Sequence, residues 1–173
     1  MLEIGASDLA NSSVHELLDA IGPAAIAGIH GIGGGVWIGA VAFNLFVLTP
    51  RARAWFAEDG AHEDFVFSVV HGLRWPVLVG SIAVVGTGLF RWWQQRAMAS
   101  SAWSALMAAK MACAAVSVSL FFFVTLRLWP KRLFATEAEL PRIRRVFFVV
   151  GVGIVAANLA AAALGVWAAQ LPR

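Results

Sequence analysis

Positions 21–50 read IGPAAIAGIHGIGGGVWIGAVAFNLFVLTP, a run without a single charged residue, and this stretch decides the fold. About 20 mostly apolar residues in a helix are enough to cross the hydrocarbon core of a bilayer. His30, Trp37 and Asn44 recur at heptad spacing within the run, and Arg51 continues the series just after it. On a helix, this spacing keeps all four side chains on one face. The stretch therefore predicts a membrane helix with one polar face.

Glycines give the same helix two further features. Gly33 and Gly34 lie about one turn after His30, where they leave room beside the imidazole for a flat group. On a neighbouring stripe a glycine stands at every fourth position, a spacing that lets membrane helices approach closely. This stripe consists of Gly31, Gly35 and Gly39. It predicts contact with a second copy of the chain or with a membrane-complex partner.

The rest of the chain is equally apolar. Hydrophobic residues make up 60% of it and charged residues 13%, and the mean hydropathy is +0.78. These values indicate an integral membrane protein rather than a soluble domain. Nucleic-acid binding is not expected, because the basic residues lie mostly between apolar runs, where the positive-inside rule accounts for them. The single cysteine, Cys113, excludes an internal disulfide.

Four apolar runs predict an all-α fold, an antiparallel four-helix bundle that forms one transmembrane domain. The predicted spans are about 24–48, 65–90, 103–128 and 146–168. We expect Pro50 to end the first helix and Pro130 to end the third, because proline interrupts helical hydrogen bonding. Residues 12–21 are expected to form a short helix on the membrane surface. The two halves show no clear sequence repeat.

The distribution of basic residues predicts the orientation. The first and third connections are rich in Lys and Arg, whereas the opposite side carries few. Positively charged connections stay in the cytoplasm. We therefore expect a multi-pass protein of a bacterial-type cytoplasmic membrane with both termini outside. The first residues lack a basic segment, so a cleaved signal peptide is not expected.

Four ionisable residues fall inside the predicted spans: His30, His71, Arg74 and Lys110. Each costs a few kcal/mol in hydrocarbon and needs a partner or a function. By helical rise, His30 and Lys110 lie at the same depth, about 10 Å below the outer edge. His71 lies about 12 Å deeper than His30, which disfavours a haem held between the two histidines.

Each of these residues also has a purely structural interpretation. His30 either serves in metal ligation or proton chemistry or is a core histidine that bonds a backbone carbonyl or a serine of another helix. His71 is either functional or solvated near the interface. Arg74 reaches lipid headgroups, a carboxylate such as Asp64, or an acidic group of a ligand. Lys110 has no Asp or Glu within any predicted span, which favours a ligand carboxylate or proton transfer.

Two other metal-binding interpretations are open. Met107 and Met111 lie near Lys110 and, with Cys113 and His30, offer soft ligands to Cu(I). Methionines in an apolar helix are more often packing residues, and a lysine ammonium would repel copper. Alternatively, His15 and His62 pair with His30 and His71 at the two membrane surfaces and hold two haems.

Three motifs resemble a known superfamily over roughly residues 24–115. They are His30-x6-Trp37-x-Gly39, Arg74-x-Pro76 with Thr87-Gly88 further along, and Trp103-x6-Lys110. In this respect the chain is similar to the copper-resistance D (CopD-like) domains and the HemJ-type protoporphyrinogen oxidases. The HemJ-type branch implies haem b as the cofactor and a porphyrinogen as the substrate. The CopD-like branch implies copper transport across the membrane.

On the matching positions, the resemblance implies catalytic roles for Lys110 and Arg74 and metal ligation by His30. We therefore expect haem b or a related tetrapyrrole in the outer half of the bundle, for redox or electron-transfer chemistry with a quinone or a porphyrin. Gly33, Gly34, Trp37 and His71 are the other predicted cofactor-binding residues. Copper binding and a cofactor-free structural subunit are the alternative functions.

Overall fold

The computed structural model describes residues 6–96 and 100–171, with side chains from residue 21 onward except Asp59. Every element in these ranges is helical, as predicted. The α-helices are α1 (Ala6–Phe43), α2 (Thr49–Trp55), α3 (Asp59–Gln95), α4 (Ser101–Phe123), α5 (Trp129–Leu133) and α6 (Leu140–Gln170). Four helical stretches within them are long and apolar enough to cross a membrane, which confirms the predicted number.

The predicted surface helix over 12–21 is not a separate element, because α1 continues from Ala6 through this region. Pro23 lies inside α1 without ending it. The residue before it is Gly22, which has no Cβ to clash with the proline ring, so that part of the usual restriction is absent. The backbone of residues 6–20 is helical, and its side chains, including His15, are outside the described part.

The prediction that Pro50 and Pro130 end their helices is wrong. A π-helical segment, Asn44–Leu48, leads from α1 into α2, and a second one, Val124–Leu128, leads from α4 into α5. In the first, the Thr49 amide donates to the carbonyl of Asn44. Such a widened turn changes the hydrogen-bond register before a proline, so the helix continues beyond a residue that lacks an N–H.

These two π segments reveal a repeat that the sequence did not show. Each lies directly before a short helix that has proline in its first turn. The number of residues from His30 to Pro50 equals the number from Lys110 to Pro130. His30 and Lys110 therefore occupy equivalent positions relative to the two prolines. This shared pattern divides the chain into two parts, which we call the N-hairpin (α1–α3) and the C-hairpin (α4–α6).

Helix packing follows the same division. α1 packs against α3, α4 packs against α6, and α1 packs against α6 between the hairpins. Small residues allow this approach, since a Cβ on Gly33 would lie 2.8 Å from the Gly80 carbonyl oxygen. Over the described residues, α3 and α4 do not pack closely against each other. The α3–α4 side is therefore the loosest side of the bundle.

Large apolar side chains cover much of the outside. Examples with more than half of the side chain exposed are Ile32, Trp75, Val79, Leu126 and Val166. Soluble monomers rarely expose such extensive apolar surface. We call the two ends of the bundle the His30 end, which also holds Gln95 and Trp103, and the Glu63 end, where α3 begins.

Candidate functional site

A cleft of about 80 Å³ lies at the His30 end, and all four long helices contribute to it. Its principal polar residues are His30, Arg91, Gln95 and Lys110. The two basic residues that occupy equivalent positions in the two hairpins, His30 and Lys110, therefore face the same space. The cleft is the best candidate for a ligand site because it collects several costly polar groups in an apolar bundle.

Thr87 is the described side-chain hydrogen-bond partner of His30. Its hydroxyl lies within donating distance of the Ala83 carbonyl, and its oxygen lies 3.0 Å from His30 Nδ1. With the hydroxyl proton on the Ala83 bond, Thr87 accepts from Nδ1–H, because a hydroxyl has only one proton to donate. In that tautomer Nε2 carries the lone pair. Metal-binding histidines are typically oriented in this way through their second nitrogen.

Each basic residue of the pair packs on a glycine of its own hairpin. A Cβ on Gly88 would lie 3.2 Å from His30 Cε1, and a Cβ on Gly165 would lie 2.8 Å from Lys110 Nζ. The glycines beside the functional groups of the cleft therefore come from α3 and α6, whereas the sequence predicted them on α1. The repeat extends to the site itself, since each half contributes one basic side chain and one glycine.

The cleft is positively charged. Lys110 and Arg91 line it together with His30, and its described lining contains no Asp or Glu. Both cations are partly buried, and a charge in an apolar bundle needs compensation. An acidic group of a ligand would supply that compensation, and a carboxylate suits both an ammonium and a guanidinium. The site can therefore hold a ligand that combines a metal or a proton acceptor with at least one acidic group.

Three predicted residues of α1 lie outside this cleft. Gly33 packs against the α3 backbone at Gly80, and Gly34 faces a methyl group of Val84. Trp37 is only 1% exposed and meets Phe121 edge to face at 6.1 Å. The expectation that the glycine pair clears space for a ring is wrong, because α3 covers that surface of α1. Trp37 is a core residue deeper in the bundle.

The two predicted residues in the middle of α3 also lie outside the cleft. His71 is exposed and stacks on Phe67 at 5.7 Å, and Arg74 is exposed as well. At about 1.5 Å per residue, Arg74 is about 25 Å from Arg91 along the helix. Arg91 therefore supplies the α3 cation of the cleft, and Arg74 does not reach it.

Of the predicted sulfur ligands, only Met107 lines the cleft, where it is 8% exposed. Met111 and Cys113 are partly buried on the same helix and do not line it. Among the described residues, no group of three or more His, Cys, Asp or Glu side chains lies close enough to bind a metal ion. A metal held here would depend on His30 and on ligands that are not protein carboxylates or thiolates.

A second polar cluster, which we call the Glu63 cluster, lies at the Glu63 end. Glu63 of the N-hairpin accepts hydrogen bonds from Arg132 Nε and, at 2.8 Å, from Arg144 Nε, both in the C-hairpin. His62 is 1% exposed, and its Nδ1 lies 3.3 Å from Glu63 Oε1. A single carboxylate of the N-hairpin therefore binds two guanidinium groups of the C-hairpin. His62 belongs to this cluster and not to a free loop, where the two-haem interpretation placed it.

Sequence reasoning selected neither Arg91 nor Gln95, although a signal was present. Thr87, Arg91 and Gln95 follow one another at intervals of four, which places them along one helix face. On α4, Trp103, Met107 and Lys110 form a similar series. Hydropathy hides the α3 series because it lies near a helix end, where polar residues are common.

Comparisons of the chain with protein-family models, curated proteins and solved structures find no match.

Proposed function

We propose that this protein is a membrane-spanning, antiparallel four-helix bundle that binds haem b or a related tetrapyrrole at the His30 end. The observation that carries the proposal is the His30–Thr87 hydrogen bond in a cationic cleft, because with Nδ1 as the donor Nε2 would be the metal ligand. Haem would supply reversible one-electron transfer, with a quinone or a porphyrin as the redox partner. The resemblance to the CopD-like and HemJ-type superfamily supports the same ligand class.

The donor set suits an acidic metallated tetrapyrrole. His30 would bind the metal, and Thr87 would hold the imidazole in the required tautomer. Lys110 and Arg91 would hold the acidic groups, and Lys110 would also move a proton. Trp103 and Met107, both nearly buried, would exclude water from the cleft. Arg74 is not part of this proposal because it lies elsewhere on α3.

Absorption spectroscopy tests the proposal directly. The protein is produced in haem-replete cells, purified in detergent and examined for a Soret band. We expect the band in the wild type, its loss in His30→Ala, and its retention in His71→Ala, the matched control with an exposed histidine on α3. A wild type without a Soret band, or a His30→Ala protein with the wild-type spectrum, would contradict haem binding.

Metal analysis of the same samples separates haem from copper. Met107 and His30 line one cleft, which is the observation that favours copper. Stoichiometric copper that is lost in Met107→Leu would support the copper alternative, whereas iron with background copper supports haem. Protein that holds neither metal and co-purifies with fixed partners would support the third alternative, a structural subunit.

The glycine stripe of α1 supports a partner in the membrane. A Cβ on Gly31, Gly35 or Gly39 would meet nothing within 4 Å, so this stripe is uncovered in the single chain. We propose that a second copy or another membrane subunit packs there, in a bacterial-type cytoplasmic membrane with both termini outside. Cysteine accessibility in intact cells tests the orientation, and Gly35→Leu tests the contact through the particle mass in detergent.

A further inference from the structure

The cleft at the His30 end is too small for the ligand proposed above. Its volume is about 80 Å³, whereas pockets that enclose drug-sized ligands measure roughly 300–1,000 Å³. A tetrapyrrole ring belongs to the larger class. The cleft can therefore receive an acidic edge of such a molecule but not its ring, and the ring needs space that this cleft does not provide in the closed state.

Contacts between the hairpins concentrate toward the Glu63 end. The Glu63 cluster joins α3 to α5 and α6. The Phe67 and Trp129 rings stack at 5.9 Å near it. A Cβ on Gly151 of α6 would lie 2.7 Å from the Leu45 side chain, so these two segments are in close contact. Ion pairs, stacked aromatic rings and the close packing of Gly151 against Leu45 all hold the hairpins together at this end.

At the His30 end, the described contacts of the basic residues stay within one hairpin. His30 contacts Thr87 and Gly88 of the N-hairpin, and Lys110 contacts Gly165 of the C-hairpin. Between the hairpins lies the cleft, where Lys110, Arg91 and His30 share one positively charged space. Like charges on facing surfaces oppose close approach. The hairpins therefore lose the fewest stabilising contacts when they separate at this end.

We infer that the two hairpins part at the His30 end and admit the apolar ring of an acidic amphiphile from the lipid between α3 and α4. The inference rests on the proposed function and specifies its ligand class: a flat, membrane-dissolved molecule whose carboxylates reach Arg91 and Lys110. The Glu63 cluster serves as the fixed end of this movement. The α3–α4 side is the route because these helices do not pack closely against each other.

The required movement is small. A flat ring is about 3.5–4 Å thick, the distance of a van der Waals contact, so the α3–α4 side needs to open by about that amount.

Spin-label distances test the inference without any measurement of activity. One pair carries labels at Phe90→Cys of α3 and Ser104→Cys of α4, both exposed positions near the His30 end. The control pair, Phe65→Cys and Leu126→Cys, joins the hairpins at exposed positions nearer the Glu63 end. Both are made with Cys113→Ala in lipid nanodiscs, and helicity by circular dichroism establishes that each variant is folded.

The probe is zinc protoporphyrin, which carries two carboxylates and is diamagnetic. We expect the distance of the first pair to increase by about 3–4 Å on addition of the probe, with the control pair unchanged. The dimethyl ester of the same porphyrin, which lacks the carboxylates, should produce no change. Porphyrin fluorescence on the protein reports binding separately from the distance.

The outcomes distinguish the inference from the proposed function. If the porphyrin binds and neither distance changes, or both change equally, the inference is overturned and the binding function stands. If the carboxylate and ester forms bind equally and change the first distance alike, the assignment of an acidic amphiphile is overturned. If no porphyrin binds to wild type or variants, the proposed function itself fails, and the inference fails with it.

Discussion

Charged side chains have partners of opposite charge at one end of the bundle and lack them among the described residues at the other. At the Glu63 end, Arg132 and Arg144 both pair with one carboxylate of the other hairpin. At the His30 end, Lys110 and Arg91 line a cleft whose described lining has no acidic residue. Loss of one member of a buried ion pair destabilises the chain, whereas an uncompensated charge is stabilised only by something that binds. The comparison therefore separates a structural cluster from a ligand site.

The largest effect is expected from Glu63→Gln. This change leaves two guanidiniums without their carboxylate and should lower the free energy of unfolding by about 3 kcal/mol, the low end of the range for broken buried pairs. The low end applies because the Glu63 side chain retains 19% exposure. Chemical denaturation in detergent, followed by circular dichroism, measures the loss. Glu58→Gln, at an exposed position of the same end, is the control and should have little effect.

Thr87→Val is expected to have the next largest effect, on the ligand alone. The isosteric change removes the acceptor that orients His30, and loss of such a partner typically weakens metal binding by about 10–100-fold. Haem titration of the apoprotein measures this change, and Thr87→Ser should restore most of the affinity. Equal affinity in the valine variant would mean that Thr87 does not orient a metal ligand.

Lys110→Leu should change the free energy of unfolding in the opposite direction to Glu63→Gln. Removal of an uncompensated, partly buried cation should raise the free energy of unfolding of the ligand-free protein by about 1–2 kcal/mol. The same change should weaken porphyrin binding by about tenfold, because a charge-assisted contact is lost. Denaturation and titration of one preparation give both values. A destabilised apoprotein would show that Lys110 is compensated within the chain and would remove the contrast between the ends.

The smallest effect concerns pH at the connection between α5 and α6. The Thr136 amide and then its hydroxyl donate to Glu139 Oε2 at 3.0 and 2.9 Å and hold the pKa of that carboxyl below its usual range. Stability from these bonds is present above the ordinary glutamate pKa and is lost as pH falls through the lowered value. Glu139→Gln should therefore flatten a slight acid dependence in denaturation curves, and an unchanged curve would contradict this role.

Sequence reasoning succeeded where the signal is local. It identified the four apolar helices, and it selected His30 and Lys110, which line the same cleft. It failed at Pro50, because the residues alone do not show whether a π segment will carry the helix past a proline. It also chose Arg74 instead of Arg91, because depth in the membrane does not reveal which basic side chain of α3 meets α4.

By itself, the sequence determined an all-helical chain with four stretches able to span a membrane, because apolar length and the cost of exposed backbone polar groups in lipid are properties of each segment alone. The tertiary structure decided which charges are compensated. Glu63 meets two arginines that lie far along the chain, and His30 meets Lys110 across a cleft, only because the two hairpins pack in this particular arrangement. Whether a charge is compensated depends on distances between segments that are far apart in the sequence. Local composition carries no information about these distances.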